Sequence, residues 1–486
     1  MGIIARQSIQ NVVSTYVGFG IGAINTLFLY VNFLSEEFYG LVGYLLASAT
    51  LMMPLLAFGV HNTLIKFYSN CIGKERERLL SMALLLPLLL IIPLTMIGAV
   101  AYDQIVAFLS EENPIVTDYV WHILLIAIAM AYFEIFYAWA KTQLQSTFGN
   151  LMREVFHRAA VTLALLAIYA EWLTAPQFIY VLTLIYFVRM LVMMGYAFKL
   201  HAPTLSRKLP TNYRSILKYS ALIILASAVA VMLLEIDMFM IGKLTAIENV
   251  AFYAVAIYIA AVIAVPARAM HQITHPISAQ LLNKKDWTGL GALYKKSSLV
   301  LFVISGLLFL LIICNVKELY RLIDPQYASG LFVVLLIGMA KVCDNLIGNN
   351  NAILFNSDYY RLVLALGVGL VLLAVVLNML FIPSLGINGA AIATFLATVG
   401  YSAAKVGVVW AKFKLQPFST ATLRMLLLLI ILGVTFYFWD FSFHPLVNIG
   451  LKASLITVTY VLLVFRMRIS EEINSRLRLL WREELP

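Results

Sequence analysis

The stretch LLSMALLLPLLLIIPLTMIGAVAY, residues 79–102, decides the fold. It holds no charged side chain, and a membrane-spanning helix needs about 20 mostly apolar residues. Hydrocarbon offers no water to satisfy backbone N–H and C=O groups, so a lone apolar segment of this length must be helical. Lys74, Arg76 and Arg78 precede it and Asp103 follows it. Short loops rich in Lys and Arg stay in the cytoplasm, so the segment runs outward.

The same reading extends along the whole chain. Of 486 residues, 62% are hydrophobic and 12% charged, with mean hydropathy +0.92. A soluble domain is about half apolar and about a quarter charged, and could not hide this much apolar surface. Apolar stretches at 10–34, 38–61, 79–102, 118–142, 153–173, 177–199, 216–241, 249–272, 297–315, 328–352, 361–382, 386–410, 422–440 and 446–466 predict about fourteen spans. The expected class is therefore an all-α polytopic membrane protein. Basic residues gather in alternate loops, as with Lys199, Arg207, Lys208 and Arg214, then Lys284 and Lys285, and finally Arg466, Arg468, Arg476, Arg478 and Arg482. Glu36, Glu37, Asp103, Glu111, Glu112, Glu171, Glu248 and Asp440 occupy the other loops, with Lys243, Lys317 and Arg321 as exceptions. Both termini are then expected in the cytoplasm. This bias also accounts for the net charge of +10, with anionic lipid headgroups as the counter-charge and no nucleic acid required. Cys71, Cys314 and Cys343 are too few and scattered for a disulfide framework or a metal site. The N-terminal apolar segment lacks a cleavage signature and reads as a retained span.

The basic linker near 200–215 divides the chain after the sixth span. The halves are weakly alike: EEFYGLVGYLLASATLMMP at 36–54 answers ENVAFYAVAIYIAAVIAVP at 248–266, each running from an acid through Phe-Tyr to a proline. Two pseudo-symmetric six-helix bundles around a central cavity are a common transporter plan. The expected organisation is a first bundle at 1–200, a second at 216–412, two further helices at 420–466 and a tail at 467–486. In that tail Ile469, Ile473, Leu477 and Leu480 recur at helical spacing among charges, as in an amphipathic helix on the cytoplasmic leaflet or a solvated one.

Ionisable groups inside spans are costly and normally face a cavity or a partner. The basic ones are Arg189, Arg268 and Lys341; the acidic ones are Glu134, Glu235, Asp237 and Asp344. Lys341 and Asp344 are three apart, hence on one helix face together with Asn345 and Gly348. They read either as a self-neutralised pair or as a cation offered to an anionic substrate beside a tuning or proton-carrying acid. Arg189 has no acid at helical spacing, so it needs Glu235 or Asp237 from another span or a water-filled cavity. Arg268, in step with His271 and His275, either joins them or snorkels to headgroups. In the first span Asn11, Thr15, Gly18, Gly22, Asn25, Leu29 and Asn32 form a narrow stripe, which reads as a cavity wall or as a close packing seam. Thr394, Thr398, Tyr401 and Lys405 make a weaker analogue in the twelfth span. There is no phosphate-cradling Gly-Lys loop, no metal-spaced His or Cys set and no nucleophile elbow. The reading is of a non-enzyme without a cofactor, and any transport would draw on an H⁺ or Na⁺ gradient or on membrane potential.

Two stretches carry a family resemblance: LNMLFIPSLGINGAAIAT at 377–394 and LLEIDMFMIGKLTAIENVAFYAVA at 233–256. The chain resembles the bacterial polysaccharide flippases, the O-antigen or Wzx-type branch of the multidrug/oligosaccharidyl-lipid/polysaccharide (MOP) exporter superfamily. The resemblance implies a bacterial inner-membrane protein moving an undecaprenyl-diphosphate-linked oligosaccharide to the outer leaflet, working alongside polysaccharide polymerase and chain-length machinery. It places Asp237 at the family's seventh-helix acid. Arg189, Lys341 and Arg268 would draw the diphosphate, with Glu134, Glu235, Asp237 and Asp344 balancing charge or coupling to an ion, and Asn11, Thr15, Asn25, Asn32 and Asn345 walling the cavity. A lipid II flippase and a drug/cation antiporter of the same superfamily remain open. So does a polysaccharide polymerase or glycosyltransferase, although the loops are short.

Overall fold

The computed structural model describes residues 3–206, 208–470, 472 and 474. Among them the structure is helical, and fourteen long helical runs follow one another: α1 (Ile9–Phe33), α2 (Glu36–Leu56), α3 (Lys74–Val100), α4 (Pro114–Thr142), α5 (147–169), α6 (Ala175–Leu200), α7 (Tyr213–Leu244), α8 (Glu248–Asn283), α9 (Trp287–Ile323), α10 (Pro325–Leu346), α11 (Arg361–Leu385), α12 (Ile387–Phe413), α13 (Thr420–Tyr437) and α14 (Pro445–Arg466). Twelve are long and apolar enough to cross a membrane, thirteen with the bent α7 taken as one. The other, α5, coincides with the expected span at 153–173 but falls outside that count, because Arg153, Glu154 and Arg158 crowd its first half.

The two similar stretches fold alike. Each opens a helix at its acid, Glu36 or Glu248, and each helix is interrupted at its proline. After Pro54, α2 stops at Leu56 and the chain turns through Phe58 and Gly59, both with positive φ. In α8 a 3₁₀ turn at Val262–Ala264 precedes Pro266. Proline removes a backbone donor and clashes with the preceding turn, which accounts for both breaks.

Two compact units result, Met1–Ala254 and Val255–Pro486. The first runs past the basic linker at which the sequence divides, because α7 packs along α2 at close range. A Cβ on Gly40 would collide with the Ile247 carbonyl, one on Gly242 with the Tyr44 ring. Tyr44 also stacks on Phe239 with centroids 5.7 Å apart. The α7–α8 turn is fastened to the segment before α4 by one buried side chain. Asn113 Nδ2 donates to the carbonyls of Gly242 (2.7 Å) and Thr245 (2.9 Å), and its Oδ1 accepts from Ile247 N (2.8 Å). The linker itself is tied to the start of α3: Glu75 accepts from Thr211 N (2.8 Å), and Glu77 from Thr204 Oγ1 (2.7 Å) and His201 Nε2 (2.8 Å).

Burial separates central helices from peripheral ones. In the apolar stretch of α4, 67% of residues are buried, against 22% in α3, whose Leu89, Ile92, Met96 and Val100 stay uncovered. In a bilayer such residues face lipid chains. The basic residues that break the one-sided loop pattern are all engaged. Lys243 pairs with Glu111, Arg321 with Glu318 at 2.7 Å, and Lys317 sits 4.6 Å above the Tyr437 ring. Beyond α14 the chain reverses at Arg468, burying Ile469 and Ser470 and pairing Glu472 with Lys296 of α9. The rest of the expected amphipathic tail lies outside the described residues, as does Arg207.

A methyl group at Gly40 would force backbone against backbone. Gly40→Ala is therefore expected to cost about 1–3 kcal/mol of stability, whereas Gly98→Ala, with nothing within 4 Å of its added Cβ, leaves the melting temperature of detergent-solubilised protein unchanged.

Candidate functional site

In the first unit the charged side chains converge on a distortion of α5. Residues Met152–Phe156 form a π turn, in which the helix carries an extra residue, a feature common at functional positions. Arg153 Nε lies 3.7 Å from Glu134 Oε1 of α4. Arg158 Nη1 lies 3.1 Å from Glu154 Oε2, one helical turn back. Lys141, at the end of α4, holds its ammonium 3.7 Å above the Tyr137 ring. Arg189 of α6 is buried, its guanidinium 4.3 Å from the Phe133 ring centroid and 4.8 Å from that of Tyr186. Its Nε has no hydrogen-bond partner, and no carboxylate pairs with it among the described residues. The group is electrostatically continuous: Arg189 senses Glu134, Arg153 and Glu154, and His157 senses Arg153, Arg158 and Arg189. Four cations thus face two carboxylates, leaving an excess of positive charge beside the buried Arg189.

Neither of the partners expected for Arg189 pairs with it among the described residues. Asp237 is buried and accepts the Tyr253 hydroxyl at 2.6 Å. Glu235 is half-buried and makes no hydrogen bond or ion pair among the described residues.

The Asn stripe of α1 is fastened to α5 and the turn before it. Asn11 Nδ2 donates to Ser146 Oγ (3.0 Å), while its carbonyl accepts from Thr15 (2.9 Å) and Asn150 (3.0 Å). Asn25, at the start of a π turn of its own (Asn25–Leu29), donates to the Arg158 carbonyl (2.9 Å) and accepts from Thr162 (2.7 Å). A Cβ on Gly18 would strike the Glu154 carbonyl. Among the described residues Asn32 bonds only within its own helix, to the Phe28 carbonyl at 2.7 Å. This stripe is a packing seam that holds the α5 distortion in place.

In the second unit, Lys341 and Asp344 do not pair although they share a helix face. Lys341 is half-buried without a hydrogen bond or ion pair among the described residues. Asp344 instead meets Lys405 of α12 at 3.7 Å. Lys405 is fully buried, donates to Asn351 Oδ1 (3.1 Å) and lies 4.3 Å from the Tyr401 ring. Arg268 is exposed. Asn345 is buried and donates to the Ile263 carbonyl at 2.9 Å, a bond that fixes α10 against the break in α8. A groove of about 520 Å³ runs between α9, α10 and α13, lined by apolar side chains such as Phe302, Phe309, Leu335, Met339, Leu426 and Ile430.

Sequence reading singles out Arg189, Glu134 and Asp344 but not Arg153, Arg158 or Lys141. The last three fall at the edges of apolar stretches, where interfacial placement is the ordinary expectation. The helical run from residue 147 places Arg153 and Arg158 within one continuous helix beside Glu134 and Glu154.

Helices of this length, number and order, broken at matching prolines, define a polytopic membrane protein with the fold of MOP-superfamily transporters. The fold is similar to that of the lipid II flippase MurJ in an inward closed conformation: 14% identity, TM-score 0.74, covering 95% of this chain and 100% of that one. It is also similar to an inward-facing multidrug resistance MATE family transporter of the MOP superfamily, at 15% identity and TM-score 0.63, over 90% of this chain and 100% of that one. A MOP superfamily transporter from Pyrococcus furiosus matches at 14% identity and TM-score 0.55, over 85% and 95% of the two chains. No curated protein sequence matches. Residues 4–282 match the model of the polysaccharide biosynthesis protein family, and the chain belongs to that family.

Removing Asn25 would leave the Thr162 hydroxyl and the Arg158 carbonyl without their cross-helix partner. Asn25→Ala is expected to cost about 1–3 kcal/mol, and Asn32→Ala less than about 0.5 kcal/mol, as for surface changes, in paired thermal or denaturant unfolding.

Proposed function

We propose that this protein flips an undecaprenyl-diphosphate-linked oligosaccharide from the cytoplasmic to the outer leaflet of the bacterial inner membrane. The single observation that carries this reading is Arg189, a buried guanidinium braced by Phe133 and Tyr186, with no carboxylate paired to it among the described residues. Taking a cation out of water costs several kcal/mol, and a cation–π contact returns about 0.5–2 kcal/mol. A diphosphate supplies the missing charge and accepts the forked, charge-assisted hydrogen bonds that a guanidinium offers. Arg153 and Arg158 extend the same positive surface, while Glu134 and Glu154 keep it from being permanently overcharged. Arg268 and Lys341 are weaker candidates for the anion, the first being exposed and the second only half-buried.

Membership of the polysaccharide biosynthesis family favours a glycan-bearing cargo. A prenyl chain can stay in the apolar surroundings of the bilayer while the head group crosses. Movement is by alternating access, driven by an ion gradient or the membrane potential. Asp237, Glu235, Glu134 and Asp344 are the carboxylates available to couple it. Polysaccharide polymerase and chain-length factors are the expected partners downstream.

Arg189→Met tests this reading. Translocation, followed by leaflet-specific detection of the lipid-linked glycan in cells lacking the wild-type protein, should fall at least about tenfold, the equivalent of 1.4 kcal/mol. The melting temperature should stay level or rise, since an apolar side chain replaces an uncompensated buried charge. Full translocation by the variant would sink the reading. Rescue of lipid II transport instead of glycan transport would reassign the cargo to the peptidoglycan precursor.

A further inference from the structure

In the second unit α10 and α13 both pack against α9. The approach of α13 is close at Gly306, where an added Cβ would strike the Leu429 side chain. Between α10 and α13 lies the groove of about 520 Å³, with α9 as its floor. Leu426, Ile430 and Val434 line it from α13 at intervals of one helical turn and are themselves exposed, so it opens along the flank of the bundle. In a bilayer that opening faces lipid. Along α9 the lining runs from Phe302 to Ile313, about 17 Å at about 1.5 Å per residue. One leaflet's share of a hydrocarbon core is about 15 Å, half of about 30 Å. The groove is as long as one leaflet is deep, which suits an acyl chain. An undecaprenyl chain is much longer and would project beyond it.

The mouth of the groove lies where α9 and α13 end and α10 begins, at Ile313, Leu331, Tyr437 and Phe438. Phe438 and Trp439 are exposed there, as aromatic side chains are at the level of lipid headgroups. Lys317 stands one helical turn beyond Ile313. It is exposed, and its ammonium lies 4.6 Å from the centroid of the Tyr437 ring. No carboxylate pairs with it among the described residues. The neighbouring acids are engaged: Glu318 with Arg321 at 2.7 Å, Asp440 with Lys452 at 3.0 Å, and Asp324 in capping α10 through Gln326 N at 2.8 Å. An aromatic face attracts an ammonium without cancelling its charge. Lys317 is also at the membrane face opposite the basic loops, where no orienting rule calls for a cation.

We propose that the groove and Lys317 form a binding site for an anionic phospholipid of the outer leaflet, with one acyl chain in the groove and the phosphate at the Lys317 ammonium. Charge and length each select this occupant. The phosphate supplies the counter-charge that the Tyr437 ring does not. A zwitterionic headgroup would bring a second ammonium to a place whose carboxylates are already engaged. Bound there, the lipid bridges α10 and α13 across the gap between them. The site takes no part in the passage of the cargo, so it does not rest on the flippase reading.

Native mass spectrometry of the full-length protein in mild detergent tests this, with phosphatidylglycerol and phosphatidylethanolamine of matched chains added in turn. Wild type should hold one phosphatidylglycerol through detergent washing and prefer it about fivefold, the effect of one cation near a headgroup. Lys317→Gln should abolish the preference and Lys317→Arg keep it. Val434→Trp, which fills the groove from an exposed position, should weaken both lipids alike. A preference unchanged in Lys317→Gln would overturn the proposal. So would equal binding of the two lipids by wild type, which would make the groove a seat for any lipid. Phosphatidylglycerol binding untouched by Val434→Trp would remove the groove from the site and overturn it as well. If undecaprenyl phosphate displaces the held lipid at a lower concentration than phosphatidylglycerol itself does, the groove belongs to a prenyl chain and the proposal fails.

Discussion

A charge inside hydrocarbon must be answered by something nearby, and the manner of the answer separates the parts of this molecule. Near the helix ends, Lys243, Arg321 and Lys452 are each answered by a carboxylate, the last by Asp440 at 3.0 Å. These pairs are complete and need nothing further. Lys141 and Arg189 are answered by aromatic faces, which attract a cation without cancelling it. The difference is energetic before it is functional. A complete pair is inert, whereas an aromatic cradle keeps a cation in place and leaves its demand for an anion unmet. The π turn of α5 lies in the same region, with Arg153 meeting Glu134 of α4 and the Glu154 backbone lying against α1 at Gly18.

The fold was legible in the sequence to the extent that the bilayer imposes it. Apolar length places nearly every helix, and the stretches at 36–54 and 248–266 begin and break where their acids and prolines stand. The division between units was less legible. A basic linker marks where the polypeptide is polar, but compactness depends on which helices touch. Gly242 lets α7 approach Tyr44 of α2, and Gly40 and Gly43 admit Ile247 and Val250 just beyond α7, so that the seventh helix joins the first unit. Glycine in an apolar stretch looks the same in sequence whether it faces a neighbour or lipid.

The candidate sites were half legible for a related reason. Ionisable residues inside spans can be found by inspection; their partners cannot. Lys341 and Asp344 share a helix face, but Asp344 is drawn to Lys405, which has less water around it and so a stronger claim on the carboxylate. The spacing of Asn11, Gly18 and Asn25 identifies one stripe, but not what the stripe touches. Here it meets α5 backbone, and the amides serve carbonyls and hydroxyls of a neighbouring helix rather than open space. Periodicity reports direction along one helix. Contact is a property of two.

The Asn113 fastening bears on how the protein is made. Helices emerge from the ribosome in order, and six of them could insert as an N-terminal bundle well before the seventh appears. Until α7 and the start of α8 arrive, Gly40 and Gly43 would present an uncovered notch along α2, and Asn113 would hold its amide toward carbonyls not yet synthesised. The first unit is therefore completed late, by residues up to Ala254. A translation product ending at the basic linker would be inserted yet unfinished, a substrate for membrane quality control rather than a free-standing half.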